Sequence, residues 1–350
     1  MTTTATPFRV GLTRDLLTAA GEPSFGSAPL RRLDGAAEIA WEYLPEPAAA
    51  ITAAHAARYD AIYVASARVP AAVADAPDLR VRLIARHGVG FDSVDVPAMT
   101  ARGILVTNTP DAVRRPVATA ALAFVLALAH KMLIKDRLTR AGRWSERTSH
   151  MGMGLTGRTL GIIGAGSIGR ETLRLARVFD LRLIAADPYA HTGELAALGA
   201  QLVPLDTLLA EADFVCVTCL LTPETRHLID ARALARMRRS AYLINVARGP
   251  IVDEAALFAA LTSGQIAGAG LDVFETEPVA AGNPLLQLPN VIVTPHAVCW
   301  TDECFAAIAD SGLGSVVDVA QRRVPAYLVD PGALDHPRVR AWFGEGVARS

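Results

Sequence analysis

The sequence predicts an α/β protein of two doubly wound parallel-sheet domains with a cleft between them. Three observations carry this expectation. Short apolar runs alternate with helical stretches along nearly the whole chain, the pattern of strand–helix–strand units. One such run, Thr159–Ile163, leads straight into a G-x-G-x-x-G turn at Gly164, Gly166 and Gly169. And 350 residues, 51% hydrophobic and 20% charged, form a globular chain long enough for two cores.

In the first half, Phe8–Leu12 reads as a strand, with a polar loop after it through Ser27. Ala61–Ala65, Val81–Ala85 and Gly103–Asn108 read as parallel strands, with helices over Ala71–Ala76 and Val96–Arg102 between them. A long helix is expected over 116–140, with Pro116 near its first turn, where a missing N–H costs nothing. It contains the most apolar run, Val117–Ala129, which is short for a bilayer and suits a buried helix. The glycine-rich stretch His150–Gly154 then leads into the second half.

There the expected strands are Leu160–Ile163, Leu181–Ala186, Phe214–Leu220, Ala241–Ala247, Ala267–Phe274 and Val291–Thr294. Helices are expected over Ser167–Phe179, Leu205–Ala210, Ala231–Met237 and Glu254–Ser263. Gly164 permits the tight turn, Gly166 lets backbone approach a pyrophosphate, and Gly169 lets helix lie close on strand. The first helix turn at Ser167 and Ile168 aims unpaired N–H groups at phosphate oxygens. Asp187, at the end of the next strand, stands where an adenosine ribose diol is held; it repels a 2′-phosphate, and the adjoining Pro188-Tyr189 supply no cation. The expected cofactor is therefore NAD(H) in preference to NADP, on a Rossmann domain. After Pro295 a helix over Asp302–Ala320 and a polar tail are placed to return to the first domain. The expected division is a flavodoxin-like substrate domain from 1–112 and 297–350, and a Rossmann domain from 113–296.

Composition removes several classes of function. A net charge of −1 leaves no electrostatic footprint for nucleic acid or an anionic membrane. The start, Met1–Phe8, lacks the basic and apolar regions of a signal peptide. Four cysteines in so long a chain fit a reducing, cytoplasmic compartment rather than a disulfide framework. Cys216 and Cys219 form a C-x-x-C inside an expected strand, where residues three apart face opposite ways, so core packing is favoured over a metal or redox pair. His296, Cys299 and Cys304 lack a partner pair at zinc spacing, and no metal is expected.

Ligands of open α/β sheets bind beyond the carboxyl ends of the strands. The residues just past neighbouring strand ends therefore assemble a site from Arg248, Glu277 and His296. A guanidinium offers a permanent forked cation for a carboxylate or polarised carbonyl. An imidazole donates and recovers a proton near neutral pH, and a carboxylate on its other nitrogen orients it and stabilises its charged form.

Ala247-Arg248-Gly249, Gly270–Pro278 and Val293-Thr-Pro-His296 resemble three blocks of the D-isomer-specific 2-hydroxyacid dehydrogenases. His87–Asp95, Asn108-Thr-Pro110, Leu155–Gly164 and Leu221–Thr225 are similar to that family too. The resemblance implies that Arg248 binds substrate, His296 is the acid–base and Glu277 its partner. Asp272 would hold the nicotinamide carboxamide, with further cofactor contacts at Thr218, Val246 and Ala247. The N–H groups of Val89 and Gly90 would cradle the substrate carboxylate. A homodimer built around the nucleotide domain is implied as well.

The chain departs from the family pattern in places. Thr119 stands where a glutamate is usual, Arg114 and Arg115 where small polar residues are common, and Thr218 and Leu220 where histidine and proline are common. The two arginines either meet a second anionic group of the substrate or are solvated charges; Arg68 and His87 read as structural or rim residues. The expected activity is hydride transfer between NAD(H) and C2 of a small D-2-hydroxy acid or 2-keto acid. The rival readings are an NAD(H)-sensing protein like the C-terminal-binding corepressors, and a formate- or phosphite-type dehydrogenase.

Overall fold

All strand pairings in the two sheets of this computed structural model are parallel. It describes residues 6–344; most of the Met1–Phe8 stretch lies outside the described residues. Parallel sheets are covered by helices on both faces, so their strands are apolar throughout rather than alternating. That is why the runs could be read directly from the sequence. Contacts divide the chain into two compact units, one through Val113 and again from Trp300, the other Arg114–Cys299.

The first unit carries β1 (Phe8–Leu12), β2 (Ile39–Tyr43), β3 (Ala61–Val64), β4 (Leu83–Arg86) and β5 (Leu105–Thr107). Their order is β2-β1-β3-β4-β5, that of flavodoxin-type sheets. The helix Asp302–Ala320 covers one face, setting Ala309, Leu313, Val316 and Val319 against Val10, Tyr63 and Leu83. Thr301 caps its start by accepting from the Cys304 N–H.

The second unit carries β6 (Thr159–Ile163), β7 (Arg182–Ala186), β8 (Ala200–Leu202), β9 (Phe214–Val217), β10 (Tyr242–Asn245), β11 (Gly268–Leu271) and β12 (Val291–Val293). The order β12-β11-β10-β9-β6-β7-β8 is the Rossmann arrangement, with β6 the first strand and the chain reversing direction across the sheet between β6 and β9. The glycine turn lies at that reversal.

Several expectations need correction. β2 and β8 were not expected: β2 alternates partly buried and exposed residues as an edge strand does, and β8 is only three residues long. The expected strand over Phe214–Leu220 stops at Val217. Beyond it the Thr218 hydroxyl donates to Gly164 O at 2.7 Å, drawing the chain onto the glycine turn and leaving Leu220 70% exposed. The run over Ala267–Phe274 ends as strand at Leu271, because the Phe274 N–H turns to the Glu277 carboxylate. The stretch Ala71–Ala76 forms only a short turn of 3₁₀-helix over Ala71–Val73.

The expected long helix is two helices, Pro110–Ala129 and Met132–Arg140, separated at Lys131 with φ of 52°. Pro116 therefore lies inside the first helix rather than in its first turn. At 20 residues, Pro110–Ala129 is long and apolar enough to cross a membrane by length and composition, unlike the shorter run that the sequence suggested. Half of that apolar window is buried, with Ala121, Phe124, Val125 and Leu128 packed on Leu160, Ile162 and Ile244 of the sheet. It is a core helix of this unit; replacing Phe124 by Ala would cost about 3–5 kcal/mol.

Candidate active site

The glycine turn is shaped for close approach. Gly164 has φ of +92°, and a Cβ there would stand 2.5 Å from the Cys219 backbone. A Cβ on Gly169 would stand 2.2 Å from Gly164 O. Neither position accepts a larger residue without moving backbone. Around Gly166, by contrast, a Cβ would meet nothing within 4 Å, so space opens beside the turn. The helix Ser167–Ala176 starts at Gly166 with no side-chain cap, which leaves the N–H groups of its first turn for an anion. Asp187 accepts from Ala165 N–H through Oδ2 and from Tyr189 N–H through Oδ1, each at 2.8 Å. The carboxylate thus braces the turn and keeps lone pairs for a diol. These features fit the pyrophosphate and ribose of a dinucleotide. Thr218, read as a cofactor contact, spends its hydroxyl on Gly164 O and so acts on the turn itself.

Past β10, Asn245 fixes the next residues. Its Oδ1 accepts from Ala247 N–H at 3.1 Å, and its Nδ2 donates to Arg248 O at 2.9 Å. Val246 and Ala247 are half-buried there, and Arg248 Nη1 donates to Ala247 O at 2.8 Å. Gly249 then presses on the loop after β11: a Cβ would lie 1.8 Å from the Phe274 carbonyl carbon.

Asp272 is a buried hub, 4% exposed. Its Oδ1 accepts from the Thr294 hydroxyl at 2.6 Å, Ala297 N–H at 2.9 Å and Val298 N–H at 3.0 Å, while its carbonyl accepts from His296 N–H at 2.8 Å. Burial raises the Asp272 carboxyl, only partly opposed by those donors. The hub holds His296 in the left-handed region at φ of 52°, a costly conformation for a residue with a side chain.

His296 Nδ1 lies 2.7 Å from Glu277 Oε2, and Glu277 Oε1 accepts from Phe274 N–H at 2.9 Å. The hydrogen bond to Glu277 raises the imidazole above its usual value; burial and the Arg248 charge oppose this without cancelling it. For Glu277 burial alone would raise the carboxyl, but the His296 and Phe274 donors and the Arg248 charge bring it below the usual range. Arg248 thus lies within electrostatic reach of both partners. The structure brings together Arg248, Glu277, His296 and Asp272 at neighbouring strand ends.

A second histidine–glutamate pair was not foreseen. His227, also left-handed at φ of 52°, places Nε2 2.8 Å from Glu275 Oε1, and its N–H donates to Pro250 O. Glu275 N–H donates to Glu254 Oε1, and Glu254 N–H donates back to Glu275 Oε1 at 3.2 Å. Glu275 therefore ties the Glu277 loop to the segments on either side of it. These residues lie far apart in the sequence, and no local pattern announces the pair.

In the first unit, both carbonyls of the Val89–Gly90 pair are taken: Val89 O by Asn108 Nδ2 at 2.8 Å and Gly90 O by Arg86 Nε at 2.9 Å. The N–H groups of Val89 and Gly90 donate to nothing among the described residues. That leaves two adjacent backbone donors, the arrangement that holds a carboxylate. His87 packs beside them with Nδ1 2.6 Å from the Tyr63 hydroxyl, and burial lowers its imidazole to about 3. It is a neutral core residue, as its structural reading anticipated. Arg115 reaches Glu171 on the glycine-turn helix at 3.4 Å, and Arg114 acts on the same carboxylate electrostatically. Cys216 is buried in β9 and Cys219 lies past its end; neither forms a disulfide, and burial raises their thiols to about 12 and about 11.

A family profile described as "D-isomer specific 2-hydroxyacid dehydrogenase, NAD binding domain" matches residues 122–298. A glyoxylate reductase of Korarchaeum cryptofilum is 40% identical over 254 residues, 72% of this chain and 76% of that protein. The D-3-phosphoglycerate dehydrogenase of Mycobacterium tuberculosis (H37Rv) is 43% identical over 244 residues, 70% of this chain but 46% of that longer protein. The chain thus spans about half of the phosphoglycerate dehydrogenases that it matches. Among solved structures, a glyoxylate reductase from Paecilomyes thermophila superposes with a TM-score of 0.80 at 28% identity, covering 93% of this chain and 99% of that one. The TT0316 protein from Thermus thermophilus superposes at 0.79 and 31% identity, covering 92% and 100%.

Proposed function

The chain belongs to the D-isomer-specific 2-hydroxyacid dehydrogenase family and with it to the NAD-linked hydroxyacid and keto-acid oxidoreductases; on that premise we propose that it interconverts a 2-keto acid and its D-2-hydroxy acid, with His296 as acid–base and Arg248 as substrate cation. The observation that carries this reading is the 2.7 Å contact of His296 with Glu277 under the charge of Arg248.

A nicotinamide dinucleotide held at the glycine turn and Asp187 would supply or take up the hydride. The residues supply everything else. Val89 and Gly90 N–H groups take the substrate carboxylate, and Arg248 draws electron density toward the keto oxygen. Glu277 fixes Nδ1 of His296, so the mobile proton sits on Nε2. A protonated His296 gives that proton to the forming alkoxide; a neutral His296 removes it in the oxidative direction. Reduction then weakens as pH rises through the raised His296 value, and oxidation strengthens over the same range. Asp272, besides holding the His296 turn, would hold the nicotinamide carboxamide.

NAD(H) is preferred to NADP on this reading, because Asp187 repels a 2′-phosphate. The compartment proposed is the cytoplasm, in keeping with four cysteines that form no disulfide. The assembly proposed is a homodimer, in keeping with exposed Met132, Trp144 and Met151 on successive segments of the second unit. The decisive experiment is NADH oxidation by the purified protein across glyoxylate, hydroxypyruvate, pyruvate, 2-oxoglutarate, and branched and aromatic keto acids, with NADPH in parallel. Arg248→Ala abolishes whichever activity emerges; full retention would refute its role. Cofactor binding, read by NADH fluorescence, without turnover of any keto acid points to a sensing protein. Turnover of formate or phosphite alone points to that dehydrogenase class.

A further inference from the structure

Trp300 is 61% exposed; Trp144 and Tyr189 are exposed to a greater degree, but Trp300 differs from them in standing against another aromatic ring. An indole left open forgoes much of the apolar area that such a ring normally buries, and an exposed apolar surface of this kind marks a binding surface. Its position says which ligand. Trp300 comes four residues after His296, a tether of at most about 14 Å. Within its own unit it stands edge-on to Phe305, ring centroids 4.8 Å apart. Phe305 stands edge-on to His87 at 5.1 Å, and His87 packs against Tyr63 and Phe25 at 5.5 and 6.0 Å. His87 directly precedes Gly88-Val89-Gly90, whose Val89 and Gly90 N–H groups are the proposed carboxylate cradle. A continuous aromatic shelf therefore runs from that cradle outward and ends in an uncovered indole.

The rings of the shelf are themselves uncharged, and the Arg86 guanidinium lies behind His87 and Tyr63. The Arg86 head is held by Val64 O at 3.2 Å and Gly90 O at 2.9 Å.

We propose that Trp300, backed by Phe305 and His87, receives the C3 substituent of the substrate, and that the preferred substrates are 2-keto acids with an aromatic or branched apolar side chain. This rests on the keto-acid reductase reading above. It separates the chain from the activities named for its relatives, since glyoxylate has no side chain to cover the indole and a phosphorylated keto acid brings charge to it.

The test uses the full-length protein with NADH and four substrates: phenylpyruvate, 4-methyl-2-oxopentanoate, glyoxylate and phosphohydroxypyruvate. The expected kcat/KM on the two apolar keto acids exceeds that on glyoxylate by at least about ten-fold, in line with the discrimination available from apolar pockets. Trp300→Ala reduces the phenylpyruvate-to-glyoxylate ratio about ten-fold, mainly through KM, and Trp300→Phe restores most of it. Preference for glyoxylate or phosphohydroxypyruvate in the unmodified enzyme overturns the proposal while leaving the reductase reading intact. So does an unchanged ratio in Trp300→Ala, including the case in which that variant alters only the mass of the assembly. Absence of turnover with every keto acid sinks both readings together.

Discussion

Glu277→Gln keeps the size and hydrogen-bonding reach of the side chain but removes its charge. In the present geometry Oε2 lies 2.7 Å from His296 Nδ1, and Oε1 accepts from Phe274 N–H. A charge-assisted hydrogen bond of that length is worth about 1.5–3 kcal/mol when shielded. The side chains are 46% and 34% exposed, so solvent screening brings the useful figure to about 1 kcal/mol. At about 1.36 kcal/mol per decade this is up to about a five-fold loss of protonated His296, reached at pH well above its raised value. Loss of orientation adds to it, and the expected fall in kcat for keto-acid reduction is about ten- to a hundred-fold. The sign is specific. Glu277 raises the His296 value, so its loss moves the alkaline limb of the reduction profile to lower pH and the acid limb of oxidation the same way. The assay is kcat and kcat/KM against pH in both directions, with NADH binding followed by fluorescence to confirm an intact cofactor site. Unchanged limbs in a variant that binds NADH normally would refute the reasoning.

Other substitutions probe the framework. Gly249→Ala places a methyl group 1.8 Å from the Phe274 carbonyl carbon, so the Glu277 loop moves by more than about 1 Å; kcat falls about a hundred-fold, and a crystal structure with that loop unmoved would contradict this. Asp272→Ala leaves the Thr294 hydroxyl and two part-buried N–H groups without their acceptor, at about 2 kcal/mol of stability, readable as a lower urea midpoint; an unchanged midpoint would show that the hub stabilises nothing. Asp187→Ser removes the charge that opposes a 2′-phosphate and raises the NADPH-to-NADH ratio of kcat/KM about ten-fold; a fixed ratio would detach Asp187 from cofactor choice. His227→Phe unties Glu275, and kcat falls several-fold with a lower Tm; wild-type behaviour in both would make that pair incidental.

Much of the site was legible because its parts are local. The glycines work through spacing within one turn, and Asp187 works through its place at the end of the next strand. Arg248, Glu277 and His296 could be grouped because parallel strands deliver their carboxyl ends to one edge. Edge strands escaped this reasoning: β2 alternates like a loop-facing segment, and β8 is too short for any period to show. The end of β9 escaped it as well, since Phe214–Leu220 is apolar throughout but for Thr218, and the turn of that hydroxyl to Gly164 O is a long-range contact. The break at Lys131 lies in a stretch of good helix formers.

Periodicity and backbone freedom at glycine act over a few residues. For that reason the alternation of strand and helix, the dinucleotide turn and the identity of the chemically competent side chains were all written in the order of the amino acids. Packing settled the rest: that Asp272 pins the His296 turn, that His227 clasps Glu275, and that Trp300 ends an aromatic row beginning at His87. Each depends on groups far apart along the chain meeting within a few ångströms, and no local propensity encodes that distance. It is set by how the helices and sheets lie against one another.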